Sequence, residues 1–249
     1  MFTERTSVGL DVHARSVVAA AIDTETGTMK TARLAPSPDL VLEWVHAQPG
    51  PVAVTYEAGP TGYGLARAFT KVGTRCVVAA PSKIVRPAGD RVKTDVKDAV
   101  LLARLLRMDE LTAVRVPSIG EEAARDLVRA REDCRIDLMA ARHRLGKLLI
   151  RHGQVYSGGH AWTPDHERWL RGIRFDQYGT QAAFDTCYED VIFTAARKTQ
   201  LDHQIEAMAA DSEFTSIVNR LACLRGIATL TAFGLAVEVG DWTRFDGTS

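Results

Sequence analysis

Apolar and polar positions alternate with a period of two over Val8, Gly9, Leu10, Asp11 and Val12. This predicts a strand with its apolar side chains on one face and Asp11 on the other. That strand is expected to end near His13. Residues 17–23 and 29–34 are two further strand-like runs, and Thr24-Glu25-Thr26-Gly27 between them has the turn chemistry of an antiparallel hairpin. Pro36-Ser37-Pro38-Asp39 interrupts the β pattern and opens a helix over residues 40–47, which Pro49-Gly50-Pro51 stops. Val52-Ala53-Val54-Thr55-Tyr56 is β-prone and delivers Glu57 at a strand tip, followed by a helix through Phe69 and Val72. A fifth strand is expected over residues 75–80, closed by Pro81. Val96, Ala99, Val100, Ala103 and Leu106 have the spacing of a helix running from Asp95 to Met108. Antiparallel strands first and crossover helices later predict an α/β unit of ribonuclease-H type, not a uniformly alternating doubly wound sheet.

Beyond Val116-Pro117-Ser118 the pattern changes to one long helix over residues 119–152, almost free of glycine and without proline. A glycine-rich connector covers residues 153–163, and residues 181–208 are helical again, so the two long helices are expected to pair as an antiparallel hairpin. From Leu224 the chain predicts a short turn at Gly226, a small-residue helix and a stop at Gly240. Backbone N–H groups after Gly226 could meet a phosphate there, and a packed structural helix is the competing reading. No repeat of fixed period is present.

With 46% hydrophobic and 25% charged residues the chain can bury a core, and no segment has the apolar length of a membrane span. A cytoplasmic, nucleoid-associated protein of two structural units is expected. Cys76, Cys134, Cys187 and Cys223 have neither CxxC nor zinc-ligand spacing and read as reduced thiols. His143, His152, His160 and His166 read as solvated side chains rather than a metal site. Lysine plus arginine balance aspartate plus glutamate, but the distribution is uneven. Lys83, Arg86, Arg91, Lys93 and Lys97 crowd one stretch, and Arg142, Arg144 and Lys147 lie in another without acidic residues. Either stretch suits a phosphate backbone or is a solvated face.

The acidic residues carry the chemistry. Asp11 and Glu57 on strands, and Asp95 and Asp98 three apart on a helix, could converge at one edge of the sheet. Four carboxylates in one place repel unless cations neutralise them, and two Mg²⁺ ions there would activate an attacking oxygen and stabilise a leaving one at a phosphodiester. Each acid also has a structural reading: Asp95 as a helix N-cap with Asp98 completing a capping box, Glu57 as a solvated strand end, Asp11 as a turn residue. Asp11 is the anchor, because an ionised carboxylate in an apolar strand costs several kcal/mol unless paired or metal-bound. Sugar kinases and related ATPases open similarly, but their phosphate turn needs small residues, and His13-Ala14-Arg15 has no glycine.

Val8-Gly9-Leu10-Asp11-Val12-His13, Tyr56-Glu57-Ala58-Gly59-Pro60-Thr61-Gly62 and Lys93-Thr94-Asp95-Val96-Lys97-Asp98-Ala99 together resemble the motifs of the DEDD transposases of bacterial insertion sequences, insertion-sequence family 110. The resemblance implies a RuvC-like domain over residues 1–117, a coiled-coil region over residues 118–215 and the beginning of a helical transposase domain over residues 216–249. It implies that Asp11, Glu57, Asp95 and Asp98 are the catalytic Mg²⁺-binding tetrad. It also implies DNA and a structured bridge RNA as partners, a homo-oligomer assembled through the helical hairpin, and cleavage and rejoining of DNA strands. Members of the family continue beyond the position of Gly240-Asp241-Trp242-Thr243-Arg244-Phe245 and carry a nucleophilic serine there. Ser249 lies too close to that phenylalanine to match it, so a C-terminally truncated chain is expected and Ser249 is not assigned as nucleophile. At Gly226-Ile227-Ala228 the family commonly has a second glycine, which the chain lacks. Two other readings stay open: a non-catalytic nucleic-acid-binding remnant, and a junction-resolving nuclease with the same acids.

Overall fold

The computed structural model describes residues 4–85 and 94–243, and the chain divides into two compact units, Met1–Pro117 and Ser118–Ser249. The first unit is built on five strands: β1 (Thr6–Val12), β2 (Val17–Asp23), β3 (Met29–Leu34), β4 (Val52–Glu57) and β5 (Arg75–Ala79), in the spatial order β3-β2-β1-β4-β5. β1 pairs antiparallel with β2 and parallel with β4; β2–β3 is antiparallel and β4–β5 parallel. Among the described residues three α-helices accompany the sheet: α1 (Pro38–His46), α2 (Gly64–Lys71) and α3 (Asp95–Met108). This is the expected α/β arrangement of ribonuclease-H type.

The β2–β3 turn is fixed locally. The Asp23 carboxylate accepts the Glu25 N–H at 2.9 Å, Gly27 supplies a φ of 71°, and Arg5 pairs with Asp23 at 2.9 Å. That guanidinium, above all, holds the Asp23 carboxyl well below the usual aspartate range.

Alternation within the strands sorts the two faces of the sheet. Val8, Leu10, Val17, Ala19, Val54 and Tyr56 face α1 and α2 and pack with Val41, Val45, Ala66 and Phe69 in one apolar cluster. Tyr56 carries a polar tip into it: its hydroxyl lies 3.4 Å from the Gly62 carbonyl, to which it donates, and accepts from the Ala66 N–H at 3.3 Å, tying the loop after β4 to the start of α2. The other face is lined by small residues. Val18 and Ala20 meet Ala99 of α3, and a Cβ on Gly9 would run into the Ala99 carbonyl oxygen and lie 2.5 Å from the Ala103 nitrogen. Glycine is therefore required at position 9, because α3 lies directly on the backbone of β1.

The second unit contains α4 (Ile119–Arg151), α5 (Pro164–Gly172), α6 (Tyr178–Ala210), α7 (Thr215–Ala222) and α8 (Thr229–Val239). α4 starts with a full capping box, the Ser118 hydroxyl accepting the Glu121 N–H at 2.9 Å and the Glu121 carboxylate accepting the Ser118 N–H at 2.7 Å. α4 and α6 run antiparallel, as expected, with Arg131 on Asp202 at 2.7 Å and Arg144 on Asp190 at 2.6 Å. One end of the pair packs with Phe214, Val218, Phe233 and Val237 of the C-terminal helices, the other with Leu170 and Ile173 at α5.

Two short helices go beyond the elements the pattern predicts. α5 and α7 span nine and eight residues. α5 is fixed by Thr163, whose hydroxyl accepts the His166 N–H at 3.4 Å, and by burial of Leu170. The helix after Gly226 is of the packed kind: Ala232, Phe233, Ala236 and Val237 are fully buried, and Arg125 donates to the Val237 and Glu238 carbonyls at its C-terminal end at 2.7 and 3.3 Å. No helix among the described residues is long and apolar enough to cross a membrane.

Candidate metal centre

The placement of the acidic residues follows from strand register. Asp11 has the parity of Gly9, so it faces the α3 side of the sheet, and it pairs across β2 with Val18, which pairs in turn with Arg33 on β3. One row across the sheet therefore reads Arg33, Val18, Asp11. On the other flank Leu10 pairs with Tyr56, so Glu57 closes β4 at the same end at which Asp11 lies on β1. α3 begins over this row. Its N-cap is Thr94, whose hydroxyl accepts the Lys97 N–H at 3.3 Å, and Asp95 follows as the first helical residue. The reading of Asp95 as the cap is thereby corrected: a β-region threonine immediately before it does that work, leaving the Asp95 carboxylate to side-chain partners.

Those partners define the site. The His13 Nε2 lies 3.0 Å from the Asp11 Oδ2 and 3.9 Å from the Asp95 Oδ1. Among the described residues, Asp11, His13 and Asp95 are the group of three whose ligand atoms all lie within 4.8 Å of one another. Arg33 donates to the Asp95 Oδ2 at 2.8 Å and to the Ser16 hydroxyl at 2.9 Å. This guanidinium is the main reason the Asp95 carboxyl sits below the ordinary aspartate range, against the opposing effect of partial burial. Two carboxylates and an imidazole are a donor set that suits a hard or borderline divalent cation.

Of the four expected acids, the structure brings Asp11 and Asp95 into this group and keeps Glu57 and Asp98 outside it. Glu57 is half-buried at the tip of the neighbouring strand. Asp98, buried at 8% exposure, lies almost one turn further along α3. His13 and Arg33 were not among the expected site residues, although a signal existed for each. His13 follows Asp11 by two, the spacing of one strand face, and Arg33 falls in the same cross-sheet row once the hairpin register is counted from its turn.

The basic residues fare unevenly. Lys83, on a 3-10 turn after β5, and Lys97, on the first turn of α3, are exposed in the first unit. Arg86, Arg91 and Lys93 lie outside the described residues. In the second unit Lys147 is exposed, whereas Arg144 is paired with Asp190. The Arg142 guanidinium stacks 4.5 Å from the Trp162 ring centre, and burial lowers its pKa. A stretch of α4 that has no acidic residue of its own thus receives one from α6.

Residues 8–153 match the model of the DEDD transposases of IS110 type. A Sinorhizobium fredii protein, y4qE, that carries a provisional transposase name is 42% identical over 191 residues, covering 77% of this chain and 46% of that protein. The transposase for insertion sequence element IS1533 of Leptospira borgpetersenii is 35% identical over 205 residues, covering 82% of this chain and 58% of the relative. The chain thus spans about half the length of the curated relatives it matches. With the family model covering more than half of its residues, the chain belongs to the IS110 family of DEDD transposases.

Proposed function

We propose that this chain binds DNA and a structured guide RNA, and that it forms the acidic centre of a recombinase that cleaves and rejoins DNA strands with divalent cations held by Asp11, Glu57, Asp95 and Asp98. One observation carries the reading: two carboxylates from distant parts of the first unit, Asp11 on β1 and Asp95 on α3, stand with His13 within 4.8 Å. Bound Mg²⁺, two ions in the fullest form of the reading, would supply Lewis-acid activation of an attacking oxygen and charge stabilisation of a leaving one. The chain's own residues do the rest. Asp11 and Asp95 offer oxygen ligands at the end of a rigid sheet, with Glu57 and Asp98 next to them in strand and helix order. Arg33 donates to the Asp95 carboxylate and favours its charged form. Lys83 and Lys97, with Arg86, Arg91 and Lys93 between them in sequence, provide cationic contacts for a phosphate backbone, and Lys147 does so on α4.

The α4–α6 hairpin supports assembly of several copies. Ile136 and Met139 on α4 and Ile192 and Phe193 on α6 are exposed at about the level where the Cys134 thiol meets the Thr194 carbonyl. Light scattering should show an oligomer that Phe193→Glu shifts toward monomer; an unchanged mass counts against the hairpin as the contact. The catalytic reading is tested by strand exchange with cognate RNA and both DNA ends. Asp11→Asn is expected to lower the rate by about a hundredfold or more, since a lost ligand removes charge stabilisation at the reacting phosphate. Full activity in that variant overturns the role of the acidic centre.

A further inference from the structure

We propose that His13 is a nitrogen ligand of the cation site formed with Asp11 and Asp95, and that it biases the site toward a first-row transition ion such as Mn²⁺ over Mg²⁺. This rests on the acidic-centre reading above and adds to it a residue outside the four carboxylates. The geometry comes first. Adjacent ligands of an octahedral ion bound at about 2.1 Å stand about 3.0 Å apart. The His13 Nε2 and Asp11 Oδ2 are separated by 3.0 Å, and the Asp95 Oδ1 lies 3.9 Å from the same nitrogen. The first pair already spans one edge of such a coordination shell, and the second needs a side-chain adjustment of under an ångström on an exposed helix start.

The alternative for His13 is a simple surface hydrogen bond to Asp11, and two observations weigh against it. The ring nitrogen has the second carboxylate within 3.9 Å as well as the first at 3.0 Å. Arg33 already pairs with Asp95 at 2.8 Å, so the approach of the imidazole to that carboxylate is not needed for its neutralisation. An imidazole in this place changes the preference of the site. Mg²⁺ binds almost entirely through oxygen and gains little from nitrogen, whereas transition ions gain affinity from it. The side chain is 53% exposed, so its replacement leaves the fold intact.

The test uses the full chain with Mn²⁺ as a paramagnetic probe. Pulsed electron paramagnetic resonance of bound Mn²⁺ is expected to show coupling to a directly bound nitrogen, which changes to the ¹⁵N pattern in protein labelled with [¹⁵N]histidine and disappears in His13→Ala. Calorimetric titration is expected to show Mn²⁺ affinity falling about tenfold or more in His13→Ala while Mg²⁺ affinity changes far less. Mn²⁺ that binds at one site, is lost in Asp11→Asn, and shows no histidine nitrogen would overturn the role of His13 and leave the acidic centre standing. Mn²⁺ binding unaffected by Asp11→Asn overturns both.

Discussion

The two faces of the first unit's sheet are built on opposite principles. Toward α1 and α2, β1 and β4 present Val8, Leu10, Val54 and Tyr56, large side chains that keep the helices at a distance and bury apolar area. Toward α3 the same strands present Gly9 and Thr55, and the helix answers with Ala99 and Ala103, so its backbone rests on the strand. One face supplies stability through volume; the other gives up volume for closeness. Closeness is what lets a carboxylate on the first turn of a helix stand beside one on a strand.

That contrast is open to direct challenge. The largest effect should come from Gly9→Val, which puts side-chain atoms where the α3 backbone lies. Denaturant titration is expected to show a loss on the order of 3 kcal/mol or more in the first unit, with Mn²⁺ binding lost alongside. A variant that keeps both would show that α3 does not need the close approach. Leu10→Ala, one residue along and on the opposite face, is expected to cost about 2–5 kcal/mol by leaving a cavity among fully buried neighbours. Cation affinity should hold in the fraction that remains folded, and a drop matching that of Gly9→Val would erase the distinction between the faces.

The smallest effect concerns acid. Because Arg5 depresses the folded Asp23 carboxyl below its unfolded value, the ion pair contributes stability above the ordinary aspartate range and loses it as the pH falls toward the folded pKa. Asp23→Asn should therefore flatten the acid limb of a stability–pH curve and leave cation affinity at neutral pH unchanged. Equal acid sensitivity in the two proteins would place the titrating group elsewhere, with Asp95 beside Arg33 the next to examine.

The strands and most helices were legible because their signals are local. β1's period of two and the hairpin turn before Gly27 depend on residues within one element or its turn, and so does the capping box at Ser118. The site was legible in part. Asp11 and Asp95 stood out, the first as a charge in an apolar strand and the second through its motif. Arg33 did not, because its meaning depends on a register counted through two strand pairs. Arg142 and Arg144 looked alike along α4, yet one stacks on Trp162 and the other pairs with Asp190, partners that only the folded hairpin brings within reach.

By itself the sequence determined which residues form the strands, that Asp11 turns away from the apolar face of β1, and that a helix opens at Asp95. Only the tertiary structure decided that His13 joins Asp11 and Asp95, that Arg33 neutralises the second, and that Glu57 and Asp98 stand outside that group. The reason is geometric: periodicity fixes the direction of a side chain within its own element, whereas the distance between side chains of different elements depends on how closely those elements pack, and over the central strand β1 that is set by the missing side chain of Gly9.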